Sequence, residues 1–370
     1  MNDNRIYTIA VIPGDGVGPE IAREAVLTLK RAGEVFGRSF RFVEVTAGTA
    51  ALEQGKRPMP QESLTVCRQA DGILMGKLAV GRHPNLDFQD RPESILGLLR
   101  TELALRSDIR PCFFLEALRE LCPLKEEVRR KGMDLLIIRD IAGGMFTTEG
   151  KCSNLRNVRA AWDTESYDEV LIRDSARLAF ELAGARRKKV TSLDKAILLS
   201  SSALWRQVLE ETHKEYPDVE LEHMLVDHGA FELVRSPDAF DVIVASNVFG
   251  DIIADEAAGL TGAGEFLPAG SLNAERRGIY CPNQFHQVYE ELSGTGKANP
   301  MGMILAGAMM LEYSFGLGRE GECVRKAAYR VVEHGMNGRP CWSGREQIAD
   351  TGEIGEAVRA CLQETVRECL

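Results

Sequence analysis

The segment Ile6–Glu20 reads IYTIAVIPGDGVGPE and joins a short apolar run to a glycine-rich turn. Residues 6–12 are mostly apolar and end at Pro13-Gly14, a pattern that predicts a buried strand. Pro19 stands where a helix tolerates proline in its first turn, and apolar residues then recur at helical spacing. The segment therefore predicts a strand, a tight turn and a helix in succession.

The glycines of this turn resemble a dinucleotide-binding fingerprint but do not complete it. The GxGxxG pattern requires a third glycine at the position of Pro19, and Asp15 inside the turn would repel a pyrophosphate. A tight strand-to-helix turn is therefore favoured over a Rossmann phosphate loop.

Short β-type runs and helical patterns continue to alternate along the chain. Such runs occupy residues 134–138, 190–193, 221–226 and 241–245, and each adjoins a helical pattern. This order is typical of α/β layers. A length of 370 residues predicts about two domains.

The composition excludes several classes of protein. With 44% hydrophobic and 27% charged residues the chain is ordinary for a globular protein, and its formal charge of −10 argues against general nucleic-acid binding. The longest apolar run, residues 301–311, is too short to span a bilayer, and no signal peptide is visible. Nine scattered cysteines without CxxC spacing favour a reducing compartment. We expect a soluble, cytoplasmic protein that binds neither nucleic acid nor membrane.

Two aspartates stand four residues apart just after the apolar run 242–245. On a helix, Asp251 and Asp255 would point the same way one turn apart, which is unfavourable unless a positive group lies between them. Carboxylates are ligands that Mg²⁺ prefers, and the carboxyl end of a buried strand is where α/β folds place ligands. The pair thus indicates either a divalent metal site or a solvated helix face.

Other charged residues also lie at the ends of apolar runs. Lys195 follows one run, where a lysine beside an apolar site can act as a base, although a surface lysine is the commoner case. Asp227 ends another run as a third acidic residue of this kind. Arg100, Arg110 and Arg139 are suited to clamp carboxylates, but each alone is more typical of a surface ion pair.

Taken in order, five segments resemble the metal-dependent decarboxylating dehydrogenases of the isocitrate/isopropylmalate dehydrogenase family. The resemblance runs from about residue 6 to about residue 317 and lies closest to the isopropylmalate branch. The segments are Pro13–Glu20, Arg139 with Gly143-Gly144, Ser192–Lys195, Asn247–Asp255 and Ala298–Pro300. Any one motif is weak, but five in the family's order are highly specific.

The resemblance implies a two-domain α/β fold with a mixed central sheet, unlike the Rossmann fold. Residues 1–106 plus 262–370 would form the first domain, with both termini and the cofactor side. Residues 107–261 would form the second, with the metal site and the contact of a homodimer. In the family a lysine and an aspartate reach the site from the other subunit, so Lys195 and Asp227 would serve the partner's Asp251 and Asp255.

The implied activity is the NAD- and divalent-metal-dependent oxidative decarboxylation of a 3-substituted malate, a 3-isopropylmalate-like 2-hydroxy dicarboxylate. The metal would be Mg²⁺ or Mn²⁺, held by Asp227, Asp251 and Asp255. Lys195 would take the hydroxyl proton, with Asp227 as the second catalytic residue. The substrate would be bound by Arg100, Arg110, Arg139, Ser94, Leu96 and Phe146. The cofactor would be bound by Glu93, His286, Glu291 and Asn299.

The sequence departs from the family at two functional positions. Phe146 replaces a tyrosine to which the family assigns protonation of the enol, so that water, another acid or a partial reaction would have to account for this step. Residues 283–291 read NQFHQVYEE where the family usually has EPVHGSAPD, so small residues that let backbone approach phosphate are replaced. Glu291 would take the place of the aspartate that selects NAD over NADP.

The residues before Arg100 bear on substrate choice. Isocitrate enzymes place an asparagine where this chain has Leu96, so we expect no isocitrate activity. Ile95 and Gly97 alter the usual Gly-Leu-Leu pattern, which indicates an apolar C3 substituent of a different shape. Two other hypotheses remain open at this point: a metal-dependent non-redox decarboxylase or lyase, and a catalytically silent regulatory subunit.

Overall fold

The structure is a computed structural model that describes residues 5–79, 81, 83–148, 150–155, 158–335 and 349–369. Its strands are β1 (Ile6–Gly14), β2 (Ser39–Glu44), β3 (Gly72–Lys77), β4 (Ser107–Phe113), β5 (Asp134–Asp140), β6 (Lys151–Leu155), β7 (Val158–Trp162), β8 (Lys189–Asp194), β9 (Glu220–Leu225), β10 (Val242–Ala245), β11 (Pro268–Leu272) and β12 (Gly278–Pro282). Its α-helices are α1 (Gly18–Phe36), α2 (Thr49–Glu53), α3 (Gln61–Gln69), α4 (Ser94–Glu102), α5 (Glu126–Arg129), α6 (Glu169–Gly184), α7 (Ser200–His213), α8 (Val226–Arg235), α9 (Asn247–Thr261), α10 (Met301–Tyr313), α11 (Gly318–Glu333) and α12 (Thr351–Cys369).

The chain forms two compact units. Unit 1 comprises Met1–Leu103, Leu115–Glu120 and Ala263–Leu370. Its strands lie in the order β2-β1-β3-β12-β11, in which β11 and β12 are antiparallel and the other neighbours parallel. Helix α10 is the centre of this unit, packing against α1, α11 and β12.

Unit 2 comprises Ala104–Phe114 and Leu121–Gly262. Its strands lie in the order β4-β5-β10-β8-β9, in which only β4 runs antiparallel to its neighbour. Strands β6 and β7 form a separate antiparallel ribbon. The mixed sheets confirm the predicted fold class, while the functional roles assigned to the two domains stay predictions.

The strands predicted from apolar runs are present. All four residues of β10 are buried, as expected for a strand covered on both faces. The run 221–226 is divided, because β9 ends at Leu225 and Val226 begins α8. This division places Asp227 in the first turn of a helix instead of at the end of a strand.

The apolar run 301–311 is a core helix. Every residue from Met301 to Leu311 in α10 is buried, so the run has no polar face. No helix in the described residues is both long and apolar enough to cross a membrane. The free thiols are Cys67, Cys112, Cys122, Cys152, Cys281, Cys323 and Cys361.

Candidate active site

The glycine turn of unit 1 is a tight connection between β1 and α1. Gly14 and Gly16 adopt φ angles of +81° and +58°, which favour glycine. A Cβ atom would lie 2.0 Å from the Lys77 carbonyl oxygen at Gly14 and 2.1 Å from that of Val288 at Gly16. The glycines therefore permit close backbone approach, and the predicted strand-to-helix turn is confirmed.

Asp15 is buried in this turn and binds backbone amides. Its two carboxylate oxygens accept hydrogen bonds from Thr49 N at 3.0 Å and from Ala79 N at 2.8 Å. A carboxylate bonded to backbone N–H groups of two other segments fixes those segments to the turn. The acidic residue in the turn thus has a structural role in this part of unit 1.

The segment predicted to bind the cofactor lies against the glycine turn within unit 1. Val17 N donates to the Val288 carbonyl at 2.9 Å, and Leu78 N donates to that of Phe285 at 2.9 Å. His286 lies between these two contacts along the chain and Glu291 lies after them, and both residues are exposed. Asn299 is buried, and its Oδ1 accepts a hydrogen bond from Met301 N at the start of α10. An exposed ring and an exposed carboxylate on one loop suit an adenosine.

Lys77 was not among the residues predicted to act here. It is buried at the end of β3, and its Nζ donates to the Gln284 carbonyl at 3.0 Å. The same ammonium lies 4.9 Å from the centre of the Tyr289 ring, within the range of a cation–π contact. The only sequence signal is a lysine inside the apolar stretch ILMGKLA.

The residues before Arg100, which the sequence links to substrate choice, lie in and just before α4 of unit 1. Glu93 Oε1 accepts a hydrogen bond from Gly81 N at 3.3 Å, whereas its buried Oε2 has no hydrogen-bond partner among the described residues. Ser94 Oγ donates to the Arg91 carbonyl at 2.7 Å. Leu96 is buried, and Arg100 is half-buried in the last turn of α4. The orphaned carboxylate oxygen of Glu93 suits a ligand that donates a hydrogen bond.

Two carboxylates and two arginines come together in unit 2. Asp251 and Asp255 lie one turn apart on α9, as predicted, with 44% and 62% of their side chains exposed. Arg139 is buried on β5 and forms an ion pair with Asp251. Arg110 is buried on β4, and its Nη1 lies 4.0 Å from Asp255 Oδ1. The arginines supply the positive charge that the aspartate pair requires.

The local packing explains this geometry. Asn247 Oδ1, at the start of α9, accepts hydrogen bonds from Arg139 Nε at 3.0 Å and Nη2 at 2.8 Å. A Cβ on Gly250 would lie 2.8 Å from the Arg139 side chain, so a glycine lets α9 approach β5 closely. Arg110 Nε donates to Asp108 Oδ2 at 2.7 Å. Both guanidinium groups are therefore oriented before any ligand binds.

Lys195 and Asp227 form a second cluster in unit 2. They make an ion pair in which the Lys195 ammonium donates to Asp227, and this hydrogen bond lowers the pKa of Asp227. Among the described residues, no group of three or more His, Cys, Asp or Glu side chains is arranged to hold a metal ion. The predicted metal set Asp227, Asp251 and Asp255 is thus not assembled by the described part of one chain.

Phe146 is exposed beside Arg139, whose Cζ lies 5.9 Å from the ring centre. Two nearby acids of unit 2 were not singled out from the sequence. Tyr167 OH accepts a hydrogen bond from Asn247 N at 2.7 Å, and burial raises the pKa of Tyr167. Glu165 Oε2 accepts one from Met145 N at 3.0 Å, and burial raises the pKa of Glu165. Both brace the backbone that carries Phe146 and Asn247.

Comparison with known proteins identifies the family of the chain. The sequence profile of the isocitrate/isopropylmalate dehydrogenase family matches residues 8–358. The 3-isopropylmalate dehydrogenase of Clostridium acetobutylicum is 40% identical over 356 residues, which are 96% of this chain and 99% of that protein. The 3-isopropylmalate dehydrogenase of Aquifex aeolicus is 42% identical over 351 residues, 93% of this chain and 95% of that protein.

Solved structures give the same result at lower identity. The isocitrate dehydrogenase of Methylococcus capsulatus has a TM-score of 0.82 at 28% identity, covering 96% of this chain and 99% of that one. A β-decarboxylating dehydrogenase from Thermococcus kodakarensis has a TM-score of 0.77 at 28% identity, covering 97% and 96%. From sequence, fold and site together, the chain belongs to the isocitrate/isopropylmalate dehydrogenase family.

Proposed function

We propose that the protein catalyses the NAD- and divalent-metal-dependent oxidative decarboxylation of a 3-isopropylmalate-like 2-hydroxy dicarboxylate. The observation that carries this proposal is the pairing of two buried arginines with the two aspartates of α9. Arg139 and Arg110 can bind carboxylates, while Asp251 and Asp255 can bind a cation. A hydroxy dicarboxylate chelating a metal needs both kinds of group in one place.

The donor set fits Mg²⁺ or Mn²⁺. Both aspartates of α9 are partly exposed, so their oxygens are accessible to a hard cation and its other ligands. Asp227 is more exposed still, and we assign it to the metal of the partner subunit. When bound, the metal lowers the pKa of the substrate hydroxyl and stabilises the enolate left by decarboxylation.

The residues of unit 1 fit a nicotinamide dinucleotide. Exposed His286 offers a ring face to adenine, and exposed Glu291 offers acceptors to ribose hydroxyls, as in NAD selectivity. The orphaned oxygen of Glu93 offers an acceptor to the nicotinamide amide. Asn299 is held in the cap of α10, and its role toward the cofactor rests on the family pattern.

The chain's own residues account for the proton and charge movements. Arg110 and Arg139 bind the substrate carboxylates, and Arg100 is assigned the same task by the family pattern. Lys195, as the neutral amine, would take the hydroxyl proton when hydride leaves the substrate, and Asp227 would stabilise the ammonium that results. Phe146 has no proton to give, so solvent protonates the enolate in this proposal.

We further infer a homodimer with shared sites. Large apolar side chains are exposed beside the functional residues of unit 2: Ile197 and Leu198 follow Lys195, Phe231 shares α8 with Asp227, and Ile252 stands between the aspartates of α9. The β6–β7 ribbon exposes Val158 and Trp162, although an isolated two-stranded ribbon is at best marginally stable in water. A second copy of the chain would cover these surfaces.

Subunit complementation tests the sharing of sites. The variants Lys195→Met and Asp251→Asn should each be inactive as homodimers. If sites are shared, a mixed dimer contains one site with both defects and one intact site. A 1:1 mixture, unfolded and refolded together, should then recover about a quarter of the wild-type activity. No recovery, with mixed dimers demonstrated by native mass spectrometry, would contradict the proposal.

The reaction is tested with the wild-type protein, Mn²⁺ and NAD against 3-isopropylmalate, other 3-alkylmalates, malate and isocitrate. We expect NADH absorbance together with CO₂ from a 3-alkylmalate and none from isocitrate, because Leu96 offers no polar contact. CO₂ without NADH would instead indicate a non-redox decarboxylase. If a folded dimer produced neither NADH nor CO₂ from any of these substrates, the proposed function would be refuted.

A further inference from the structure

The backbone that carries Lys195 is held by the residue before it. Asp194 is buried at the end of β8 and accepts two hydrogen bonds from Arg206, Nε to Oδ2 at 3.0 Å and Nη2 to Oδ1 at 2.8 Å. Asp194 Oδ1 also accepts one from Ala196 N at 2.9 Å. A single carboxylate thus ties α7, which carries Arg206, to the turn on both sides of Lys195.

Lys195 depends on this turn for its position. The Lys195 carbonyl accepts hydrogen bonds from Leu198 N at 2.9 Å and Leu199 N at 3.0 Å, so the turn is closed on itself. A lysine side chain is long and flexible, and its ammonium can be directed only if its backbone is fixed. A bidentate arginine–carboxylate pair is the strongest side-chain contact available for that purpose.

A histidine with unusual surroundings faces the same carboxylate. His223 lies on β9, and its Nδ1 is 3.9 Å from Asp194 Oδ2 while its Nε2 is 3.6 Å from Glu210 Oε1. Both ring nitrogens are buried, and neither makes a hydrogen bond among the described residues. The imidazole therefore stands between two carboxylates without being bonded to either.

The balance of charges around His223 favours its neutral form. Burial lowers the pKa of His223 first, and the Arg206 guanidinium lowers it further. Asp194 and Glu210 act in the opposite direction, and His213 on α7 adds a lowering contribution. While His223 is neutral, Asp194 is available to Arg206; once protonated, His223 would attract Asp194 and repel Arg206.

We propose that Arg206 is a positioning residue that holds Lys195 through Asp194, and that protonation of His223 loosens this hold. The inference rests on the proposed function in one respect, the assignment of Lys195 as the base. Arg206 touches neither Lys195 nor Asp227 in the contacts described above, so its effect passes through the Asp194 turn.

Steady-state kinetics of the wild-type dimer and of Arg206→Met and Arg206→Lys test the positioning role. We expect Arg206→Met to lower kcat by about 10- to 100-fold, the cost of a base misplaced by about 1 Å, with KM changed less than about threefold. Arg206→Lys should restore part of kcat, since it keeps one charged donor. Arg177→Met is the control. Arg177 lies on α6 and forms an exposed ion pair with Glu215, so its loss should leave kcat unchanged.

Titration of the imidazole gives a readout independent of catalysis. In protein labelled with ¹³C-histidine, the His223 signal is assigned by its loss in His223→Gln, and its pKa should lie below 6.5 in the wild type. Arg206→Met should raise this pKa and Asp194→Asn should lower it further. Because the folded-state pKa lies below the unfolded one, stability should decline as pH falls from about 6.5, and His223→Gln should remove that decline.

The outcomes separate this inference from the proposed function. An inactive wild-type protein would refute the function, whereas the NMR titration would still report whether Arg206 and Asp194 act on His223. An active wild type with Arg206→Met at full kcat, or with a His223 pKa that Arg206→Met does not change, would overturn the inference. Two results together would support the inference. Arg206→Met should lose kcat, and the fall in kcat at acid pH should shift along the pH axis with the pKa of His223.

Discussion

The charged cluster of unit 2 and the cofactor loop of unit 1 differ in how they are built. In unit 2, side chains contact side chains: Arg139 with Asp251, Arg110 with Asp108, and Lys195 with Asp227. In unit 1, backbone carbonyls of loop 283–291 are bonded by Val17 N, Leu78 N and the Lys77 ammonium. The first region holds the charged residues that the resemblance to the family assigns to it, whereas loop 283–291 differs at most positions from the EPVHGSAPD that the family usually has.

The difference reflects what each task requires. Proton transfer and cation binding depend on particular atoms at fixed distances, so the side chains that supply them cannot be exchanged. A loop held by its own carbonyls accepts many side chains, because the bonding groups are common to all residues. The motifs of unit 2 therefore identify the chemistry, while the loop of unit 1 can be rebuilt around the same cofactor.

Lys195→Met should produce the largest loss, since it removes the only base assigned to the substrate hydroxyl. We expect kcat to fall by about 10³-fold, within the range of a lost general base, while NAD affinity measured by fluorescence titration is unchanged. Lys214→Met, at an exposed lysine just after α7, is the control. A variant that retained more than a tenth of the wild-type kcat would exclude Lys195 as the base.

Asp251→Asn should reduce Mn²⁺ affinity, measured by electron paramagnetic resonance titration in the presence of substrate. Changes to residues behind a metal ligand already cost 10- to 100-fold, so we expect a loss of at least about 100-fold. Asp238→Asn alters an exposed aspartate of the same unit and should bind Mn²⁺ normally. Equal affinity in both variants would mean that α9 does not hold the metal.

The sequence predicted most of the regular structure, while the roles of the site residues stay predictions. The placement of Asp251 and Asp255 one turn apart on α9 follows from their spacing, whereas the burial of Arg110 and Arg139 does not, because each arginine alone is more typical of a surface ion pair. The strands of the parallel regions follow from continuous apolar runs, because a strand covered on both faces has no polar alternation.

The sequence did not predict contacts between residues that are far apart in the chain. Lys77 and Gln284 are separated by 207 positions, and Tyr167 and Asn247 by 80. No local pattern predicts such pairs, since a pattern within one segment does not identify a partner in another. The sequence also did not predict that the run 221–226 is divided at Val226. The reason is that an apolar valine continues the strand pattern, although the backbone has already entered α8.

Phe146→Tyr would restore in unit 2 the tyrosine that the resemblance to the family leads one to expect at this position. The new hydroxyl would stand at the edge of a ring already placed 5.9 Å from the Arg139 Cζ. If protonation of the enolate limits turnover, kcat should rise by about 10-fold, less than a fully evolved acid supplies. Phe146→Leu, which removes the ring without adding a proton donor, should not raise kcat. A kcat no higher in Phe146→Tyr than in the wild type would show that the missing acid does not limit the rate.

Lys77→Met tests whether the rebuilt loop of unit 1 depends on its buried ammonium. The substitution keeps the length of the side chain but removes the hydrogen bond to the Gln284 carbonyl and the contact with the Tyr289 ring. Losing one charge-assisted hydrogen bond in a loop that must be ordered for binding should raise the Kd for NAD by about 5-fold, with kcat at saturating NAD little changed. Lys30→Met is the matched control, because Lys30 is exposed and lies 5.7 Å from the Phe42 ring centre in the same unit. If both variants bind NAD equally well by calorimetry, the hydrogen bonds that Val17 N and Leu78 N donate to the loop's carbonyls suffice to hold the loop, and the buried charge has no part in cofactor binding.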